Sequence, residues 1–200
     1  MPKISVVIPI HAGMKNGDGF LWRSIQALMK QTFKDFEIVI VQEGSMPVNT
    51  NAGIQKARGE LIKILYLDDY LAHENALQEI VDAFKPEDMW LATGCLHQSG
   101  NEEPHSPHFP VYTHDIHTGN NCIGSPSVVT LRNEGHLLFD EKLSWLLDAD
   151  LYKRYYEKYG LPRILNTLNV VIGLGEHQMT HKLSNEEKLS EHQYLNGKHS

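Results

Sequence analysis

Strand-like and helical patterns alternate over residues 3–84. Apolar runs rich in β-branched residues predict strands at 3–10, 36–41 and 61–67. Apolar residues that recur at helical spacing predict helices at 20–30, 49–58 and 74–84. Strands and helices that alternate in this way need crossover connections, and these place the strands parallel in one sheet. The pattern therefore predicts an α/β fold with a central, mainly parallel sheet flanked by helices.

The carboxyl ends of the three strands carry informative polar residues. His11 follows the first strand, Glu43 follows the second, and the adjacent pair Asp68 and Asp69 follows the third. Ligands of such sheets bind in the crevice beyond the carboxyl ends of the strands, so we expect these side chains to converge there. Two neighbouring carboxylates repel unless a cation or solvent separates them, so the pair is either a cation site or a solvated acidic turn. Its position after the third strand favours the cation site.

Charge and cysteine content exclude several kinds of protein. The formal net charge is -7 and Lys and Arg form no cluster, which argues against a nucleic-acid partner. Cys95 and Cys122 have no CxxC spacing, so the sequence predicts neither a disulfide framework nor a zinc knuckle. The apolar run at 4–10 is too short for a transmembrane segment or a signal helix. We therefore expect a cytoplasmic protein.

A dinucleotide-binding fold has the same outline. Its fingerprint, GxGxxG, belongs in the first strand-to-helix turn, where glycines let the backbone approach a pyrophosphate. Gly17 and Gly19 supply the first two glycines, but Trp22 stands at the third position. The sequence therefore argues against a nicotinamide cofactor.

A series of motifs stands in order over the first seventy residues: "ISVVIPIH", "SIQALMKQTFKDFEIVIVQEGS" and "NAGIQKARGELI", followed by the acidic pair. The series resembles the nucleotide-binding half of family 2 glycosyltransferases, which have a Rossmann-like GT-A fold. The matching residues are Pro9, Gln31, Thr32, Glu43, Gly44, Ser45, Asn51, Gly53, Ala57, Gly59, Asp68 and Asp69. The resemblance implies one GT-A domain over 1–200, in which 1–95 bind the nucleotide-sugar, 96–183 carry the acceptor and catalytic groups, and 184–200 form a polar tail.

The stretch "GSPSVVTLRNEGHLLFDEKLSWLLDADLYKRYYEKYG" (124–160) resembles the acceptor-side segment of the same family. On this resemblance Asp148 is the catalytic base, and Asp150 lies at a helix start. The Glu that usually precedes the base is Leu147 here. The competing interpretation of Asp148 is a helix-start charge that interacts with the helix dipole.

The resemblance also implies a divalent metal, Mn²⁺ or Mg²⁺, shared with the donor diphosphate. Either His177 or His181 resembles the late His that completes the metal shell in some GT-A enzymes. We expect Asp69 to be the direct metal ligand, with His177 approaching from the C-terminal segment, and Asp68 to contact the ribose or support the ligand. Two side chains on successive strand residues point to opposite faces, so this assignment requires the chain to turn at the pair. The family spaces its motif differently, and either Tyr66 replaces its first Asp or Tyr70 replaces its last.

Four residues are predicted to contact the nucleotide: Pro9, His11, Glu43 and Asn51. Structural alternatives stand beside three of them. His11 could cap a loop, Glu43 could be a turn-forming acid, and Asn51 could cap a helix. The identity of the nucleotide base stays open, with a UDP-sugar as the first expectation.

Residues 96–118 hold five histidines and three prolines at irregular spacing and no cysteine. This composition favours a flexible acceptor-side loop over a zinc site.

The predicted function is metal-assisted transfer of a sugar, with inversion, from a nucleotide-sugar to a glycan or other hydroxyl acceptor. Two other classes stay open. A non-catalytic nucleotide-sugar or glycan-binding protein would explain the altered acidic motif. A nucleotidyltransferase would need a basic phosphate-gripping loop after the first strand, where Lys15 is the one available cation. A homo-oligomer is compatible with the sequence.

Overall fold

The computed structural model describes residues 1–11 and 17–199. Its strands are β1 (Ile4–Pro9), β2 (Phe36–Val41), β3 (Leu61–Ile64), β4 (Tyr70–Leu71), β5 (Trp90–Ser99), β6 (His105–His108), β7 (Val129–Arg132) and β8 (Arg163–Leu174). Its α-helices are α1 (Gly17–Met29), α2 (Met46–Lys56), α3 (Ala76–Ala83), α4 (Leu147–Tyr159), α5 (Met179–Lys182) and α6 (Asn185–Lys198). The loop predicted after the first strand, with Lys15, falls mostly outside the described residues.

All eight strands join one mixed sheet with the order β2-β1-β3-β7-β5-β8-β4, and β6 pairs with β5. β1 lies parallel between β2 and β3, so the predicted parallel arrangement of the first three strands is confirmed. β7 is antiparallel to both β3 and β5, while β8 is parallel to β5 and antiparallel to β4. The antiparallel β7 joins the parallel N-terminal half to the C-terminal half in one continuous sheet.

β1, the central strand of the N-terminal half of the sheet, is buried at all six positions. This burial is what a continuous apolar run predicts for a strand that is covered on both faces. Gly53 of α2 lies directly over it, and a Cβ atom at that position would come within 2.3 Å of Val7 Cγ1. The glycine therefore permits the close packing of α2 on the sheet.

Two predicted boundaries are wrong, and the second one matters for the site. α2 begins at Met46 rather than at residue 49, with Pro47 in its first turn. Pro has no N–H to lose at that position and its φ angle suits a helix start. β3 ends at Ile64, so the acidic pair does not lie at the end of the strand. The chain instead leaves the sheet, turns at residues 67 and 68, and re-enters it as β4.

The histidine-rich stretch 96–118 is not simply a flexible loop. Its first part continues β5, which pairs with β6 in an antiparallel hairpin, and a short 3₁₀ helix spans Ile116–Thr118. Two of its five histidines bond to the backbone: His97 Nδ1 lies 2.8 Å from the Ser106 carbonyl oxygen and His108 Nε2 lies 3.0 Å from that of Cys122.

The C-terminal segment, expected to be a polar tail, forms the 14-residue helix α6. Ser184 and Glu187 form a capping box at its start, which satisfies N–H groups that a helix start otherwise leaves free. Leu195 is fully buried against the core. Burying one Leu side chain stabilises a fold by about 1.5–3 kcal/mol, which favours docking of α6 on the domain. Within the described ranges, no helix is long and apolar enough to cross a membrane.

Candidate active site

A cavity of about 190 Å³ lies where the two halves of the sheet meet. It is lined by residues from five separate stretches of the chain: Met46 of α2; Tyr66, Asp68 and Asp69; Ser125 and Pro126; Ser144, Trp145, Leu147 and Asp148; and Ile172, His177, Gln178, Met179 and Thr180. Three carboxylates and one imidazole therefore surround one space. Four predicted site residues, Asp68, Asp69, Asp148 and His177, are brought together here.

The acidic pair is held by a turn. The Asp69 N–H donates to the Tyr66 carbonyl at 2.9 Å, and the Arg23 guanidinium donates to the Asp68 carbonyl at 2.5 Å. Gly173 of β8 lies directly against this turn, and a Cβ atom there would come within 2.5 Å of the Asp68 carbonyl oxygen. The chain thus turns at the pair, as the shared-cation hypothesis requires.

Asp69 points into the protein rather than into solvent. Asp69 is only 2% exposed, and its Oδ1 accepts a 2.9 Å hydrogen bond from the Gly173 N–H. Burial raises the pKa of Asp69 well above its usual value, and the neighbouring charge of Asp68 raises it further. The carboxylate is therefore partly satisfied by the protein itself.

A buried lysine beneath the site was not predicted. Lys63 of β3 is fully buried, and its ammonium group donates to the Ser127 carbonyl. Burial lowers the pKa of Lys63 to about 7, against the opposing effect of the Asp69 carboxylate. The signal in the sequence is a lone lysine inside the apolar run "LIKIL". Lys63 does not line the cavity, and its charge interacts with the Asp69 carboxylate.

His177 pairs with Asp68, not with Asp69. Its Nε2 lies 2.8 Å from Asp68 Oδ2, and both side chains are less than one-fifth exposed. The Phe20 ring of α1 packs against the imidazole at a centroid distance of 5.3 Å. We expected His177 and Asp69 to share one cation. These contacts instead favour Asp68 as the partner of His177, because the Asp69 carboxylate turns inward to the Gly173 N–H. The Asp68 carboxylate is the one that meets the imidazole at the cavity.

Tyr66 lines the cavity, whereas Tyr70 does not. The Arg23 guanidinium lies over the Tyr70 ring at 4.5 Å and holds it against α1. The Tyr66 hydroxyl is buried and has no hydrogen-bond partner among the described residues. These positions favour the alignment in which Tyr66, rather than Tyr70, stands in place of an Asp of the family motif.

Asp148 faces the cavity from the first turn of α4. Its Oδ1 accepts from the Ala149 N–H at 2.7 Å, and its Oδ2 accepts from the Asn121 amide at 2.8 Å. Burial raises the pKa of Asp148 to about 6, although both hydrogen bonds act in the opposite direction. A carboxylate with this pKa is ionised at neutral pH yet basic enough to accept a proton.

Asp150 is fully buried and does not line the cavity. Its carboxylate binds Arg154 at 2.7 Å, Lys198 at 2.7 Å and His199 at 3.0 Å. A carboxylate with three cationic or polar partners inside the protein stabilises structure and cannot reach a substrate. Of the two acidic residues in the first turn of α4, Asp148 is therefore the one placed for chemistry.

Of the residues predicted for the nucleotide, Asp68 lines this cavity, whereas Pro9, His11, Glu43 and Asn51 do not. Pro9 ends β1 and is paired with Val41 of β2. His11 follows, and its buried Nδ1 has no partner among the described residues. The Glu43 carboxylate forms an exposed ion pair with Lys56. These three residues lie at the carboxyl ends of β1 and β2.

A buried amide that was not predicted joins these strand ends. Asn49 Oδ1 accepts from the N–H groups of Glu43 and Gly44, at 2.6 and 2.7 Å, and its Nδ2 donates to the carbonyls of Ile10 and Gly44. Every hydrogen-bonding site of this side chain is directed at backbone. Asn49 thus fixes the loops after β1 and β2 relative to each other.

Asn51 has a similar structural position. Its amide accepts from the Phe139 N–H at 2.8 Å and donates to the Phe139 carbonyl and to Glu141 Oε1, both at 3.0 Å. The residue is 4% exposed and stands inside α2. It neither caps the helix nor points to the cavity. Its role is to fasten α2 to the segment that leads into α4.

We expect Asn51→Ala to lower the free energy of unfolding by roughly 1–3 kcal/mol, because it leaves the buried backbone groups of Phe139 without partners. Urea unfolding followed by circular dichroism measures this change. Gln55→Ala is the control, since Gln55 is an exposed amide on the same helix. Nucleotide affinity is expected to stay unchanged in the folded variant, and a selective loss of affinity without loss of stability would contradict the structural role.

The side chains of Asp68 and His177 are suitable ligands for a divalent cation that a diphosphate also binds. Among residues 1–11 and 17–199, no three His, Cys, Asp or Glu side chains come close enough to hold a metal by themselves. Asp68 and His177 offer one carboxylate and one imidazole at the cavity wall. Mg²⁺ and Mn²⁺ commonly bind through one or two protein ligands and complete their shells with substrate phosphates and water. Two protein ligands are therefore enough if the donor supplies the rest.

Solved structures of other proteins share the fold of this chain. No family model matches the sequence, and no curated protein does. S. aureus TarS 1-349 in complex with UDP-GlcNAc superposes with a TM-score of 0.68 at 17% identity, over 96% of this chain and 65% of that chain. S. aureus TarS gives a TM-score of 0.64 at 18% identity, over 87% of this chain and 37% of that chain.

The mannosyltransferase PcManGT from Pyrobaculum calidifontis, in complex with GDP-Man and Mn²⁺, gives a TM-score of 0.54 at 11% identity, over 86% of this chain and 56% of that chain. The chain thus has a GT-A-type glycosyltransferase fold, which confirms the fold predicted from its motifs. It spans between 37% and 65% of the length of these three proteins.

Proposed function

We propose that the protein transfers a sugar from a nucleotide-diphosphate sugar to a hydroxyl acceptor, with inversion at the anomeric carbon. The observation that carries the proposal is the meeting of Asp68 and His177 with Asp148 around one cavity of a GT-A fold. The first two come from the turn after β3 and from the C-terminal segment. The third comes from the start of α4. A donor site and a base on separate elements are what such a transfer needs.

The donor side is assigned to the acidic turn. Asp68 and His177 would hold a divalent cation together with the donor diphosphate, and the cation would neutralise the charge of the leaving group. Asp69 is assigned a supporting role, because its hydrogen bond to Gly173 fixes the turn from which Asp68 projects. His11 and Pro9 are assigned to the nucleoside, since they stand at the carboxyl end of β1.

The acceptor side is assigned to Asp148. The acceptor hydroxyl oxygen forms a bond to the anomeric carbon while the bond from that carbon to the phosphate oxygen breaks. The hydroxyl proton passes to the Asp148 carboxylate, and the nucleoside diphosphate leaves. Hydrogen bonds from Ala149 and Asn121 hold the carboxylate in place. Fixed orientation of the base lowers the entropic part of the barrier.

A thermal-shift panel of UDP-, GDP- and CDP-sugars, with Mn²⁺ or with EDTA, tests the donor assignment. A ligand that binds only the folded state raises its stability by about 2.7 kcal/mol at 100 times its dissociation constant, which gives a measurable rise in melting temperature. We expect a UDP-sugar to raise it, and to do so in Mn²⁺ only. UDP-GlcNAc is the first to be tried, because a TarS structure holds it.

No rise with any nucleotide-sugar, in either condition, would overturn the proposal. A nucleotide-sugar that raises the melting temperature but from which no nucleotide is released, not even by transfer to water, would point to a binding protein. Release of UDP from the selected donor, measured by a coupled assay, separates these two outcomes.

A further inference from the structure

We propose that Glu191 of α6 is a positioning residue for Asp148, so that the C-terminal helix sets the geometry of the acceptor side. The inference rests on the proposed function in one respect, because it takes Asp148 as the base. It concerns a residue that lies outside the cavity and that no sequence motif indicates. The contacts below connect the two residues through the backbone at the start of α4.

The Glu191 carboxylate binds the three backbone N–H groups that lead into α4. Its Oε1 accepts from Ser144 at 2.8 Å and from Trp145 at 3.3 Å. Its Oε2 accepts from Trp145 at 3.0 Å and from Leu146 at 2.9 Å. The first N–H groups of a helix have no partner within the helix, and Leu146 at the N-cap provides no side-chain cap. Glu191 therefore caps the start of α4 from another element at the Leu146 N–H, and it also holds the two N–H groups that precede the helix.

The capped backbone forms part of the cavity wall. Ser144, Trp145, Leu147 and Asp148 all line the cavity, and Leu146 precedes the base by two residues. A shift of this backbone would move the Asp148 carboxylate directly, because no flexible segment separates the cap from the base. The side chains of Lys188 and His192, also on α6, pack on the Trp145 ring at 5.5 and 5.3 Å.

A second attachment holds α6 about two helical turns further along. Lys198 binds Asp150 at 2.7 Å and Asp140 at 2.6 Å, and the His199 ring lies 3.0 Å from Asp150. The helix is thus fastened to the start of α4 at two points, one on each side of Asp148. Glu191 is the attachment that binds backbone, so it is the one that fixes the position of the helix start.

The charge of Glu191 also acts on the base. Among the causes that set the pKa of Asp148, burial is the largest, and the Glu191 carboxylate adds a smaller rise. The ionisable groups that surround Asp148 come from α6, from α4 and from the cavity wall: Glu191, Tyr152, Tyr66, Asp68, Asp69 and His177. Removal of the Glu191 charge is therefore expected to lower the pKa of Asp148.

The test compares Glu191→Gln and Glu191→Ala with Glu186→Gln, which makes the same charge change at an exposed position of α6. UDP release from the selected UDP-sugar gives kcat and KM. We expect kcat of the two Glu191 variants to fall by roughly 10- to 100-fold, the effect of a small misplacement of a reacting group, with KM for the donor unchanged. Glu186→Gln should match the unmodified protein.

Carbon-13 NMR titration of the Asp148 carboxyl is the second readout. It should show a lower pKa in Glu191→Gln than in Glu186→Gln, whether or not Asp148 proves to be the base. A failure of the base assignment would appear as full activity in Asp148→Asn, and it leaves this readout intact. Wild-type kcat together with an unchanged titration curve in folded Glu191→Gln would overturn the inference. Far-UV circular dichroism checks folding, and if the Ala variant does not fold, the Gln variant decides.

Discussion

Asp148→Asn is expected to lower the turnover of the selected donor by roughly 10²- to 10⁴-fold, the usual cost of losing a general base. The amide keeps the size of the carboxylate but cannot accept the acceptor proton. Donor affinity should be unchanged, because Asp148 stands on α4 while the donor residues stand on the acidic turn and the C-terminal segment. UDP release and calorimetric titration measure the two quantities. Asp150→Asn is a poor substitute for this test, since that buried carboxylate binds Arg154, Lys198 and His199.

The pH dependence gives a second check on the same residue. Burial raises the pKa of Asp148 to about 6, and a base works only when it is deprotonated. In the unmodified protein kcat/KM should therefore rise by about tenfold per pH unit below that value and level off above it. The residual activity of Asp148→Asn should lack this rise. A rise that persists in the variant would assign the titration, and the base, to another group.

Asp68→Ala is expected to remove the Mn²⁺-dependent part of donor binding. Loss of a group that merely supports a metal ligand costs about 10–100-fold in metal affinity, so loss of the ligand should cost at least about 100-fold. Calorimetry with the selected UDP-sugar should then give the same affinity in Mn²⁺ as in EDTA. Asp82→Ala is the control, because Asp82 is an exposed carboxylate on α3.

Asp69→Asn distinguishes the two assignments of the acidic pair. If Asp68 is the ligand, Asp69→Asn should keep most of the Mn²⁺ effect, since the amide oxygen can still accept from the Gly173 N–H. The opposite result, with Asp69→Asn abolishing the effect and Asp68→Ala sparing it, would restore the assignment made from the sequence. Equal affinity in EDTA and in Mn²⁺ for the unmodified protein would remove the metal from both.

The fold was predictable because its signal is spread over many residues. Six segments of the first half alternate in pattern, and the spacing of motifs from Pro9 to Asp69 gave the GT-A fold, which the structural comparisons confirm. Boundaries were less predictable, because they depend on tertiary packing. β3 ends at Ile64 since the next residues are turned by contacts with Gly173 and Arg23, which lie far away in the sequence.

The sequence indicated part of the cavity lining but not the arrangement of its side chains. Asp68, Asp69, Asp148 and His177 were expected in it and do line one cavity. Which carboxylate meets His177 depends on the direction of each side chain in the turn, and a motif of adjacent residues does not encode that direction. Asn51 matched a family position, yet its amide is fully used by Phe139 and Glu141.

Two further residues could not be predicted from the sequence, for another reason. Lys63 and Glu191 act through partners 64 and 45–47 positions away, and neither belongs to a motif. The burial of Lys63 was hinted at by its apolar neighbours. Nothing in the polar C-terminal sequence indicated that Glu191 would cap α4.

The arrangement of the cavity has a consequence for how the chain folds. Its walls come from stretches near residues 46, 66, 125, 148 and 177, so the cavity is complete only after β8 has paired with β5. Contacts between such distant segments form late and slowly, because a long loop must be ordered before they stabilise anything. A donor molecule can therefore bind the completed fold but no partly folded form. It should slow global unfolding while leaving the rate of early collapse unchanged, which makes a donor an indicator of fully folded chains.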